Sequence, residues 1–441
     1  MSAHAVTELR TTPDRPPAPD PAPVAARSEK PGARPKTFLH VGEPKTGTTF
    51  LQQVMWRNRA ELAAQGVVLP GHHPQDHYRA SQDLRGIPKL AGDPAGAWTG
   101  EWEILARQAQ QAPRVAVISH ELFAAADAQQ ADRAVRSLRP ADVHIVVTVR
   151  DIATLLPAEW QETVKHRNAR GWEDWLGDVI DRESAAADRR QWWFWRVHDT
   201  LAILDIWSRL LPPERVHVII TPPRESASEL LWQRFASLLG IEPGSVDITR
   251  ARPNSSLGMP EIEFLRRLNQ ALPAEVPDWF YMWNVKEAVA HRTLAARPRD
   301  GHLILPAERD SWAKEQAEAL IAALGDSGYD LIGDLDELRP RPVTQTFPSP
   351  ADQPAGQVLD AAVDAAAALV VNQYRREHPA AKPQRDPAAQ RGLVGRVESS
   401  LASSPRLKRT VRDLSSRFLA VRWLRVRAWR ALESSRARRN S

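Results

Sequence analysis

Residues 37–42, 114–119, 143–149 and 216–221 are near-continuous apolar runs rich in Val and Ile, and a shorter run lies at 67–69. Strands that bury both faces read this way, since neither face meets water. Between these runs, apolar positions recur every three or four residues, the spacing of helices with one buried stripe. The segment LAILDIWSRLL at 201–211 is one such helix, stopped by Pro212 and Pro213 and leading into the run at 216–221. The alternation predicts an α/β fold, a central parallel sheet covered by helices on both faces, with ligands at the carboxyl ends of the strands. From 261 to about 338, helical patterns alternate with Pro- and Asp-bearing loops, which predicts a helical lobe rather than more sheet. No fixed-period repeat is visible.

The ends of the chain differ from its middle. Residues 1–35 hold eight prolines and few large apolar side chains, so a disordered leader is expected there. A Pro-bearing linker with a short Ala-rich helix is expected over 341–390. Residues 391–441 carry fourteen Lys/Arg against three Asp/Glu, so this tail holds more positive charge than the whole chain's net +5 and the remainder is net negative. Within the tail Leu407, Val411, Leu414, Phe418 and Val421 recur at helical spacing among arginines, a basic amphipathic helix suited to anionic lipid or another polyanion. No signal peptide and no membrane-spanning run of 18 apolar residues is evident, and with no cysteine the chain uses neither disulfides nor thiolate metal sites. These features fit a cytoplasmic protein with peripheral attachment at a membrane surface.

The first strand runs into FLHVGEPKTGTTFL at 38–51, where Gly42 and Gly47 bracket a lysine and apolar residues then resume at helical spacing. Such a turn gathers backbone N–H groups around an anion and directs the positive end of the helix dipole at it. The glycine separation matches the Walker A pattern, but Thr48 stands where that pattern has its lysine, and the lysine lies inside the loop at Lys45. The strand at 143–149 is followed by Arg150, not by the aspartate that helps hold magnesium in triphosphatases. A phosphate-like group held without that metal apparatus is the expectation, and no His/Asp/Glu set has metal spacing; His72, His73 and His77 read as a loop.

Lys45-Thr46-Gly47-Thr48-Thr49 after an apolar strand resembles the 5′-phosphosulfate loop of sulfotransferases that use 3′-phosphoadenosine 5′-phosphosulfate (PAPS), and the resemblance spans roughly residues 36–340. It implies a P-loop-like sulfotransferase fold over that span and makes the helical lobe the acceptor side. It also implies PAPS as co-substrate and sulfuryl transfer to an acceptor hydroxyl or amine. Lys45 would stabilise the oxygen that gains charge as the sulfate leaves, and Thr46, Thr48 and Thr49 would offer hydroxyls to the 5′-phosphate. VAVISHELF places Ser119, His120 and Glu121 at the next strand end. His120 matches the histidine base of cytosolic sulfotransferases, Glu121 the glutamate base of others, and both stay open as the catalytic base. Arg150 matches the family's 3′-phosphate arginine, whose fork of donors suits phosphate oxygens; an ion pair with Asp151 or Glu162 is its other reading. The family's serine eight residues later is Ala158 here, preceded by Pro157, so one 3′-phosphate donor is missing.

Two features are less specific. Arg252, Asn254, Ser255 and Ser256 form a polar loop suited to nucleotide contacts or to capping the following helix. Trp160, Trp172 and the cluster Trp192, Trp193, Phe194, Trp195 suit an acceptor wall, although core packing accounts for most tryptophans in a chain with sixteen. A nucleotide-dependent kinase on the same loop, and a non-catalytic nucleotide-binding or membrane-surface module, are the alternatives. The acceptor class stays open among small molecules, glycans and lipids, and no specific nucleic-acid partner is expected.

Overall fold

The computed structural model describes residues 34–87, 98–181, 189–223, 227–251, 256–299, 301–341 and 348–378. The basic tail, the leader up to residue 33, and Arg252, Asn254 and Ser255 lie outside them. Through Leu369 the chain forms one compact unit, and a second begins at Val370.

Six strands form one parallel sheet: β1 Lys36–Gly42, β2 Val67–Val68, β3 Val115–Ser119, β4 Asp142–Val149, β5 Val216–Ile220 and β6 Asp330–Ile332, in the order β2-β3-β1-β4-β5-β6. Alternate residues of each strand face opposite sides. Leu39, Val41, Ile118, Ile145, Val147 and Val218 pack with Trp102, Phe123 and Trp207 on one side. Phe38, Val117, Val146 and Ile219 pack with Leu51, Val54, Trp232 and Phe235 on the other. Both faces are therefore covered by helices, as the unbroken apolar runs require.

After β1 the chain moves to the β3 side of the sheet, and after β4 it moves to the β5 side. The connections diverge between β1 and β4, which opens a crevice at their carboxyl ends, the usual ligand position in such sheets.

Two expectations change. The region 261–338 is helical up to Gly325 but then adds β6 to the same sheet, pairing His217 with Asp330 and Ile219 with Ile332. Within the lobe, the residues Met282–His291 form a π-helix. Instead of a short helix in a linker, Ala355–Glu377 is a 23-residue helix. Among the described residues it is one helix long and apolar enough to cross a membrane by length and composition. Asp360 and Asp364 interrupt its apolar surface, and Asp364 is ion-paired to Arg297 of the lobe.

Candidate functional site

The loop between β1 and the first helix, α1 (Thr48–Arg57), is shaped by its glycine. Gly47 has φ 91°, a backbone conformation that favours glycine, and a Cβ placed there would lie 2.4 Å from Leu231 Cδ2, so that leucine would have to move aside. Lys45 also sits at positive φ, 63°, uncommon for a residue with a side chain. The first N–H groups of α1 have no acceptor within the helix and carry the positive end of its dipole, which suits an anion.

Strand ends hold the loop from below. The buried Thr46 hydroxyl lies 2.5 Å from the Glu43 carbonyl oxygen and 2.5 Å from Thr148 Oγ1. Thr148, near the end of β4, donates to the Gly42 carbonyl at 2.9 Å; Thr221, just past β5, donates to the Thr46 carbonyl at 3.0 Å. His40 of β1 joins in, with Nδ1 2.8 Å from Ser119 Oγ and Nε2 3.2 Å from Thr148 Oγ1. Burial pushes the His40 pKa down to about 4, so this ring is neutral and serves as a strut. The Thr46 hydroxyl, expected to offer itself to the 5′-phosphate, is thus engaged beneath the loop in the ligand-free protein. A hydroxyl enclosed under the loop needs internal partners, and Thr46 has its backbone N–H left to offer. Thr48 is also buried, whereas Thr49 is half-buried.

Arg150 follows β4 and donates from Nη1 to the Lys45 carbonyl at 3.1 Å, so the loop and this strand end are directly joined. It lines a cavity of about 260 Å³ together with Ile152, Trp195, His198, Thr200 and Leu320. A larger cleft of about 530 Å³, lined by Trp160, Asn168, Arg170, Trp172, Glu263 and Arg266, contains no loop residue. Ala158 and Pro157 lie in the helix Ile152–Lys165, whose N-terminus is capped by the Asp151 carboxylate accepting from Thr154 N at 2.9 Å.

The two base candidates differ in state. His120 follows β3, and its Nδ1 accepts from the Leu122 backbone N–H at 3.2 Å, so the neutral ring carries its proton on Nε2. Burial lowers its pKa, against the pull of Glu121. In this arrangement His120 offers a donor. Burial would raise the Glu121 pKa, but His120 in its protonated form, the residue's own backbone N–H, Gln52 and Lys45 together bring it below the ordinary carboxylate value. Gln52 Nε2 donates to Glu121 Oε2 at 3.0 Å. Glu121 is therefore the ionised acceptor of the pair.

Lys45 has a partner absent from the sequence reading. Its Nζ donates to Glu162 Oε2 at 2.7 Å; Lys286 Nζ donates to Glu162 Oε1 at 2.9 Å, and Lys165 Nζ lies 3.7 Å from Oε2. Burial opposes both charges, but the attraction wins: Lys45 is raised and Glu162 is held well below the carboxylate range by Lys45, Lys286 and Lys165. Lys286 reaches in from the π-helix and also contacts His166.

One turn before Glu162, Glu159 belongs to a second buried cluster. His198 lies with Nδ1 3.6 Å from Glu43 and Nε2 3.5 Å from Glu159, and Thr200 Oγ1 donates to Glu43 at 2.5 Å. These distances are long for hydrogen bonds but short for charges shut away from water. Burial lowers the His198 pKa, yet the two carboxylates overcome it and push the pKa up to about 9. Glu43, a loop residue, is thus neutralised from behind by an imidazolium.

Glu43, Glu159, His198, Lys165 and Lys286 escaped the sequence reading. A partial signal existed in Glu159, Glu162 and Lys165, which share one face of an otherwise apolar helix at three-residue spacing. The tryptophan cluster resolves mostly into core: Trp160, Trp172 and Phe194 are buried together, and Trp193 stacks under Arg85. His77 is likewise a buried strut, its ring nitrogens at the carbonyls of Ser119 and Pro70. Among the described residues, no group of three His, Asp or Glu could hold a metal ion.

No family model matches the sequence, and no curated protein matches it. Among solved structures, the chain is similar to a sulfotransferase from Alicyclobacillus acidocaldarius at 18% identity, covering 60% of this chain and 98% of that one with a TM-score of 0.33. So loose a superposition carries no functional argument.

Proposed function

We propose that the chain is a sulfotransferase that moves a sulfuryl group from PAPS to an acceptor hydroxyl or amine. The observation that carries this reading is the position of Lys45. Its ammonium rises from within the loop at the end of β1, and Glu121 stands just past the end of β3, the strand paired beside β1, tied by Gln52 to the helix that follows the loop. A cation for a leaving oxygen and a base for an incoming nucleophile at neighbouring strand ends are what an in-line displacement needs.

For a hydroxyl acceptor, Glu121 takes the proton as the acceptor oxygen forms its bond to sulfur. The bond from sulfur to the bridging oxygen breaks, and its electron pair leaves on the 5′-phosphate, where Lys45 stabilises it. The backbone N–H groups from Thr48 onward and the half-buried Thr49 suit the 5′-phosphate. Arg150, which lines the neighbouring cavity, suits the 3′-phosphate. Ala158 offers that phosphate no hydroxyl at the position of the family's serine, so Arg150 bears more of its recognition.

Adenosine 3′,5′-bisphosphate should bind the purified protein and compete with PAPS, while ATP with magnesium should bind more weakly. Calorimetry can rank them. Absence of bisphosphate binding at millimolar concentration would sink the reading, and tighter binding of magnesium-ATP would favour a kinase.

A further inference from the structure

Glu162 is surrounded more generously than one carboxylate requires. Ammoniums of Lys45, Lys286 and Lys165 lie at 2.7, 2.9 and 3.7 Å from its oxygens, and they come from three separate places: the loop, the π-helix and the same helix one turn on. The next carboxylate, Glu159, is drawn toward His198 at 3.5 Å and balances the lysines only in part. His166, 3.3 Å from Glu162 Oε1, adds no charge, since burial and Lys286 hold its pKa down to about 4.

Gathering three like charges is costly unless they share an anion. One carboxylate brings a single negative charge to three ammoniums. Lys165 shows the shortfall: its side chain is 9% exposed, and its contact with the shared carboxylate is the longest of the three. A tetrahedral oxyanion has enough oxygens for all of them, and the cluster is reachable, because the Lys45 and Glu162 side chains are 21% and 22% exposed.

We propose that Lys45, Lys165 and Lys286 form a binding site for a sulfate or phosphate group, and that the Glu162 carboxylate occupies this site in the ligand-free protein. Glu162 is then a built-in competitor. Each ligand must displace it, keeping the lysines charged and ordered between binding events at a cost in affinity.

The proposal does not rest on sulfuryl transfer, and its test uses neither donor nor acceptor. Binding of inorganic sulfate and inorganic phosphate to the full chain would be measured by calorimetry at constant ionic strength. E162Q should bind these anions about tenfold more tightly than the unmodified protein, since the fraction of sites open to ligand rises. Adding K165M or K286M to E162Q should take the gain away. E162D, which keeps the charge but draws it back from the lysines, should shift affinity in the same direction by less, and it covers the case in which E162Q fails to fold. Equal or weaker anion binding by the folded Glu162 variants overturns the proposal, as does a gain that survives both lysine substitutions.

Discussion

The hydroxyl of Thr200 donates a 2.5 Å hydrogen bond to the carboxylate of Glu43, linking a loop residue to the start of a helix 157 positions later. Beside this bond His198 stands between Glu43 and Glu159, and all three side chains are buried. A carboxylate so close to the proposed phosphate turn would repel an anionic ligand if left uncompensated. The His198 imidazolium removes that penalty.

His198→Asn leaves two buried carboxylates without their cation and should destabilise the fold by about 3 to 5 kcal/mol, as for other broken buried pairs. Chemical denaturation of the two proteins at neutral pH checks this. A loss below about 0.5 kcal/mol, the level of an unremarkable surface change, would show that the imidazolium holds nothing together.

The same residue sets a pH dependence. Its folded pKa, about 9, lies above the ordinary 6.5, so its contribution is fully present below pH 6.5 and is lost as pH rises through about 9. The full span corresponds to on the order of 3 kcal/mol. Unfolding midpoints followed from pH 6 to pH 10 should fall across this window in the unmodified protein and fall less in His198→Asn.

Lys45→Ala should lower sulfuryl transfer by roughly 10²- to 10³-fold, the scale of losing one charge-stabilising group in a transition state. Glu162 keeps Lys286 at 2.9 Å in that variant, so the fold should survive and the thermal midpoint should change little. Near-normal transfer by a folded Lys45→Ala protein would remove the central residue of the proposed reaction.

Glu121→Gln and His120→Gln separate the base from its neighbour. With Nδ1 of His120 engaged by Leu122 N–H, the glutamate variant should lose the larger part of the rate, about 10²-fold or more, while the histidine variant should lose less. Rates across pH for both proteins decide the matter, and the opposite ranking would return the base to His120.

Gly47→Ala forces a side chain into a left-handed position and against Leu231, and it should cost about 1 to 3 kcal/mol in stability and weaken bisphosphate binding. A thermal melt and a binding isotherm on the same sample give both readings; an unchanged pair would mean the loop conformation differs from the one described.

The main strands were legible because Val and Ile run unbroken through them, as a sheet covered on both faces requires. β6 was not, since Asp330, Leu331 and Ile332 are too few to form a pattern and lie in a stretch rich in Asp and Gly. In the loop, Gly42 and Gly47 marked a tight strand-to-helix turn through local chemistry alone, and both take positive φ. Its supporting charges could not be seen in the same way. Glu162 reads equally well as a partner for Arg150, and nothing local ties Lys286 to a helix 124 residues earlier. Burial is what turns these ordinary charged residues into a cluster, and burial of this kind is set by the assembled fold.

The sheet's flanks have a consequence for the molecule in a crowded solution. β2 has two residues and β6 has three, so the longest strands, β1 and β4, lie at the centre. A sheet that tapers in this way exposes few unpaired backbone groups along its rims and offers another chain little to zip onto. The crevice between β1 and β4 can therefore sit above fully paired strands, with little at the rims to favour edge-to-edge self-association.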